Sequence, residues 1–94
     1  MNKADYCIKL IYCIGKGVTL RTRMYVFFGI NYKRMTQLLD ELVEKGYVLK
    51  IPREGVTGVR PARYALTDKG VKFYRVINEY WDVLGKNINS LQFL

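Results

Sequence analysis

The sequence predicts one α+β domain over residues 1–94: three helices, a two-stranded hairpin and a long last helix. Three observations carry that class. Apolar residues recur at helical spacing up to residue 46 and again after residue 67. Between these regions two short stretches alternate around a glycine-containing loop, which is a hairpin signal. Half of the residues are hydrophobic, which excludes disorder. The expected core spans residues 3–67, and the long helix spans 68–91. A core of this size is marginal alone, so association or cross-linking would help it.

The first helix is expected over residues 3–14. Ala4, Cys7, Ile8, Ile11 and Ile14 share one side, with Leu10 at its edge and Lys9 and Tyr12 opposite. Cys7 falls near the centre of that apolar face, and Cys13 falls on a flank beside Tyr6. Six helical residues rise about 9 Å, beyond disulfide reach, so the two cysteines cannot pair within an intact helix. Either both are free or at least one pairs between chains. Gly15 and Gly17 end the helix. Val18 adds a short strand. Residues 19–28 form a second short helix that buries Leu20, Met24, Phe27 and Phe28 and leaves Arg21 and Arg23 outside. Gly29 and Ile30 turn the chain into the third helix.

That third helix, residues 31–46, organises the reading. Met35, Leu38, Leu39, Leu42 and Val43 make one apolar stripe. Asn31 caps the start through its side-chain oxygen, and Gly46 suits a left-handed cap at the end. Lys33, Arg34, Thr36 and Gln37 open the polar face. The acidic residues Asp40, Glu41 and Glu44 come only later. The basic first half suits a polyanion's groove, and the acidic second half stays outside it. From Gly15 to Gln37 five residues are basic and none is acidic. Helix, short glycine turn and helix make a helix-turn-helix pattern.

Tyr47 to Ile51 reads as a strand closed by Pro52. Residues 53–60, REGVTGVR, form a basic loop with two glycines. From Pro61 to Leu66, Ala62, Tyr64 and Leu66 alternate with Arg63 and Ala65. A hairpin directly after a recognition-type helix is a wing. Thr67 caps the last helix. There Gly70, Tyr74, Ile77, Trp81, Leu84, Ile88 and Leu91 alternate steps of four and three, a coiled-coil-like seam. Its 21-residue run rises roughly 32 Å, longer than so small a body.

Composition narrows function. Sixteen Lys and Arg against eight Asp and Glu give a net charge of +8, which points to nucleic acid, an anionic membrane or an acidic partner. No apolar run approaches the roughly 18 residues of a membrane span, so an intracellular protein is expected. There is no histidine, which removes Ser-His and Cys-His pairs and the usual base near neutral pH. Two cysteines cannot complete a zinc site in one chain. Neither an enzyme nor a metal or cofactor protein is expected.

The run MYVFFGINYKRMTQLLDELVEKGYV and the phrase YALTDKGVKFY resemble the winged helix-turn-helix superfamily. The similarity is greatest to small dimeric winged-helix proteins of archaea and their viruses, and looser to MarR-type regulators. It covers Arg23 to Tyr74. In such proteins an aromatic-x-Leu-Thr-x-x-Gly phrase joins the last wing strand to the dimerising helix. Here those positions are Tyr64, Leu66, Thr67 and Gly70. The chain is shorter than the MarR-type scaffold, so that family's effector pocket is not carried over.

The resemblance implies a homodimer that binds double-stranded DNA and regulates transcription, with the third helix in the major groove and the wing on the adjacent groove or backbone. Lys33, Arg34, Thr36 and Gln37 are the expected direct contacts. Tyr32 either reaches a phosphate or packs beside Leu39. Lys16, Arg21 and Arg23 would hold backbone phosphates, and Arg53, Arg60 and Arg63 would serve the wing. Tyr74, Ile77, Trp81, Leu84 and Ile88 would form the dimer seam. The resemblance further implies a hyperthermophilic archaeal or viral source, where intracellular disulfides are common. An inter-chain disulfide is then expected at Cys13, with Cys7 the alternative. A sequence-indifferent chromatin protein and a winged helix that binds protein are the competing readings.

Overall fold

The computed structural model describes residues 3–28, 31–53 and 60–83, with side chains at 27, 28, 53, 60, 61 and 81–83 outside the description. The elements run α1 (Lys3–Gly15), α2 (Arg21–Phe28), α3 (Tyr32–Glu44), β1 (Val48–Arg53), β2 (Arg60–Leu66) and α4 (Asp68–Val83).

The expected stripe of α3 holds the fold together. Met35, Leu38 and Leu39 are fully buried, and Leu42 nearly so. The helix is fixed at both ends. The Asn31 side chain accepts hydrogen bonds from the amides of Lys33 at 2.8 Å and Arg34 at 3.2 Å. At the far end Gly46 takes φ +83°, which a side chain rarely tolerates. That geometry lets the Tyr47 amide reach the Leu42 carbonyl at 3.0 Å and the Gly46 amide reach that of Val43 at 3.1 Å, a Schellman cap.

β1 and β2 pair antiparallel, with Val48 opposite Leu66, Lys50 opposite Tyr64 and Ile51 opposite Arg63. The register shifts between Ile51 and Arg53. Pro52, expected to close the strand, instead lies within it at that irregularity. A residue without an amide hydrogen is tolerated there. Ala62 and Tyr64 face the core as their alternation predicts, and Leu49 and Ile51 face outward. The extra strand expected at Val18 is not formed. A single bridge joins Leu20 to Arg63 instead.

α1 departs most from its expected pattern. It packs against α3, α4 and β2 at once. Its second half is therefore buried all round, from Leu10 through Ile14. Tyr12, expected on the outer side, is only 1% exposed. Cys13, expected on a flank and as the disulfide residue, is fully buried in the core. Cys7, expected at the core centre, is the more accessible thiol. A wheel drawn for one buried face fails on a helix segment buried on every side. The Cys13 assignment is thus corrected: its sulfur cannot meet a second chain while this core is closed.

The first part of the predicted seam on α4 is used within the domain. Ile77 belongs to the core, and Tyr74 packs against it, with its ring centre 5.9 Å from that of Tyr12. Trp81's side chain lies outside the description, as do Leu84, Ile88 and Leu91.

Candidate nucleic-acid interface

The buried stripe of α3 fixes which residues point outward. Lys33, Arg34 and Gln37 are exposed, and among the described residues none of them is held in an ion pair. Thr36 is partly covered, and its hydroxyl donates to the Tyr32 carbonyl at 3.0 Å. Its hydrogen is used inside the helix, so towards a ligand Thr36 offers acceptor lone pairs. Asp40 ends this basic stretch on the exposed side.

Tyr32 is exposed and sits among side chains from α2. Its ring meets Tyr25 edge-on at 5.5 Å, and Arg21 stacks on it with the guanidinium carbon 5.9 Å from the ring centre. Arg21 is thereby brought to the first turn of α3. Arg23 is exposed on α2. Lys16 is not part of this group. Its ammonium lies 5.5 Å from the Tyr12 ring centre and interacts with Tyr74, at the contact between α1 and α4. Of the wing arginines, Arg63 is exposed on β2. The side chains of Arg53 and Arg60 and the loop at 54–59 lie outside the description.

The residues that sequence reasoning missed are Tyr25, as the support of Tyr32, and Tyr64. Tyr64 is fully buried, and its hydroxyl has no hydrogen-bond partner among the described residues. Burial raises its pKa, the Arg21 charge opposes that rise, and Asp40 and Tyr32 add to it. The strand's alternation shows that Tyr64 points inward. No sequence signal says that its hydroxyl ends near Arg21.

A groove of about 540 Å³ opens elsewhere, between α1, α3 and α4, lined by Cys7, Ile8, Ile11, Leu42 and Phe73 among others. Among the described residues no group of three His, Cys, Asp or Glu side chains could hold a metal, and no helix is long and apolar enough to cross a membrane.

No protein-family model matches the chain, and no curated protein matches it. Solved structures do. The adhesin competence repressor AdcR of Streptococcus pyogenes superposes with a TM-score of 0.74 at 12% identity, over 93% of this chain and 63% of its own. A mutant MarR from E. coli in complex with operator DNA gives 0.66 at 20% identity, over 80% of this chain and 53% of its own. The fold is a winged helix-turn-helix. The transcriptional regulator Tm0710 of Thermotoga maritima gives 0.68 at 19% identity, over 90% of this chain and 59% of its own. The chain thus spans between 53% and 63% of the length of these three winged-helix structures. They come from bacteria and lend no support to the archaeal or viral source expected from the resemblance.

Proposed function

We propose that this chain binds double-stranded DNA with sequence preference and regulates transcription as a homodimer. One observation carries the reading. The first half of α3 presents Lys33, Arg34 and Gln37 to solvent on a helix whose other face is locked into the core. Arginine and glutamine are the side chains that read guanine and adenine edges in pairs of hydrogen bonds. Fixed positions let such residues discriminate, because a mobile helix would give up that free energy to ordering. Arg21 and Arg23 flank the helix start as phosphate contacts, and Arg63 serves the wing with Arg53 and Arg60. A winged-helix neighbour in complex with operator DNA supports the reading.

The dimer is the second part of the proposal. On α4, Val76 is 63% and Tyr80 59% exposed, and Phe73 beside them lines the α1 groove. A second copy laid along α1 and α4 would cover these apolar side chains, with Trp81, Leu84 and Ile88 continuing the contact. A two-fold axis would set the recognition helices on half-sites roughly 34 Å apart.

Selection of bound fragments from random duplex DNA, followed by footprinting and a salt titration, tests the reading. The expected result is a two-part site of limited length and an affinity that falls with salt, at a log-log slope of about −0.9 per phosphate neutralised. Uniform coverage would favour a chromatin protein. Affinity indifferent to salt would remove DNA as the ligand.

A further inference from the structure

Where α2, α3 and β2 meet, two buried polar atoms have no hydrogen-bond partner among the described residues: Arg21 Nε and the Tyr64 hydroxyl. They occupy one place for a structural reason. The Tyr64 amide donates to the Thr19 carbonyl at 2.9 Å, and Leu20 bridges to Arg63. Strand β2 is therefore fastened to the residues that lead into α2. Arg21 opens α2, so its side chain starts beside Tyr64 and ends on the ring of Tyr32 at the start of α3. The Arg21 charge is near enough to act on the Tyr64 phenol.

A buried donor and a buried acceptor that miss each other both raise the free energy of the unbound protein. Among the Arg21 nitrogens, Nε alone is in that state. The guanidinium's remaining N–H groups make the planar fork that suits a phosphodiester. A small rotation of this group, drawn by a phosphate on its outer edge, would carry Nε towards the Tyr64 hydroxyl.

We propose that Tyr64 is a positioning residue for Arg21: when Arg21 takes a DNA backbone phosphate, its Nε–H donates to the Tyr64 hydroxyl, and both buried atoms are satisfied only in the complex. The inference rests on the DNA-binding reading and goes beyond it. It makes a buried strand residue, which never touches DNA, part of the grip on a phosphate. It also gives the wing strand and the recognition helix a shared fastening that tightens on binding.

The test is a double-mutant cycle with Tyr64→Phe and Arg21→Ala, using a duplex recovered by the selection above and low salt so that every variant binds measurably. Tyr64→Phe is expected to weaken binding roughly tenfold, the weight of one hydrogen bond from a charged donor. Its thermal stability should be unchanged or higher, because it loses an unpaired buried hydroxyl. In the Arg21→Ala background the same change should have no effect on affinity. A merely structural tyrosine would behave otherwise, lowering stability and weakening binding equally in both backgrounds, and that result overturns the proposal. So does a Tyr64→Phe protein that binds like the parent. A parent protein with no salt-dependent affinity for any duplex overturns the DNA reading itself, and this inference with it.

Discussion

The Thr67 hydroxyl donates a 2.6 Å hydrogen bond to the carbonyl of Gly46. The same oxygen accepts the Gly70 amide at 3.0 Å, capping α4. One side chain thus ties the end of α3 to the start of α4. Lys69 adds a second tie, donating to the Lys45 carbonyl at 3.1 Å while its ammonium stacks on Tyr47 at 4.3 Å. Gly70 belongs to this junction, because a β-carbon there would overlap the Tyr47 carbonyl. The Leu-Thr-x-x-Gly phrase is therefore a packing device as well as a cap.

Thr67→Val should destabilise the fold by about 1–3 kcal/mol, the sum expected when a cap and a hydrogen bond are both removed. Thr67→Ser should recover most of that stability. Urea unfolding of the three proteins measures it. Equal midpoints for Val and Thr would mean that the junction contributes nothing.

The thiols should differ in the folded protein. Burial pushes the Cys13 thiol far above its usual range, so little reactive thiolate forms. The Cys7 thiol is also raised, by burial and then by Glu41, while Lys3, Lys45 and Arg34 oppose the rise. Cys7 nevertheless lines an open groove. An aromatic disulfide reagent at pH 8 should therefore modify Cys7 first, and Cys13 only at the rate of unfolding. Cys7→Ser should abolish the early reaction. Prompt labelling of Cys13 in the native protein would contradict the buried position.

How far an element is legible in the sequence depends on how many of its sides are covered. α3 touches the core on one side only, so its stripe and both caps follow from residue spacing. The second half of α1 is buried on all sides, so Tyr12 and Cys13 are buried at positions that a single-faced wheel assigns to the surface. On α4 the heptad spacing of Tyr74 and Ile77 cannot tell a second chain from the domain's own α1. Both choices present the same apolar seam. The exposure of Lys33, Arg34 and Gln37 is legible because it is the complement of the buried stripe. The position of Arg21 on Tyr32 is not, because it depends on how β2 draws the start of α2 inward.

Tyr64 should titrate late. Burial raises its pKa above that of an unfolded phenol, with Arg21 only partly opposing. A phenol whose folded-state pKa is raised holds its proton more tightly in the fold. Its contribution to stability is complete below the unfolded pKa and is lost as pH rises through the folded value. Ultraviolet titration should show a late ionising step that coincides with alkaline unfolding. Tyr64→Phe should remove that last step. A protein in which every tyrosine ionises in one early, reversible wave would place the Tyr64 hydroxyl in solvent.

The recognition helix and its flanks should fail in different ways when altered. Arg34 and Gln37 stand on the exposed first turns of α3, where base edges would be met. Arg23 and Arg63 stand on α2 and β2, where only the phosphate backbone would be within reach. A base contact matters for some sequences and not for others, whereas a phosphate contact is the same for all. Gln37→Ala and Arg34→Ala should each change the order of preference among duplexes, at about 1–3 kcal/mol for the base pair concerned. Arg23→Ala and Arg63→Ala should instead weaken every duplex alike and lower the salt slope by about one for each phosphate no longer neutralised. Thr36→Val is the finer case. The Thr36 hydroxyl already donates to Tyr32, so the change removes only an acceptor from the side facing DNA. Preference should shift only against bases that present a donor there, the cytosine or adenine amino groups. Competition binding with a panel of single-position duplex variants, repeated at two salt concentrations, separates these outcomes. If Gln37→Ala and Arg34→Ala weaken all duplexes equally and leave the ranking intact, α3 is a backbone contact and the sequence preference must be read elsewhere.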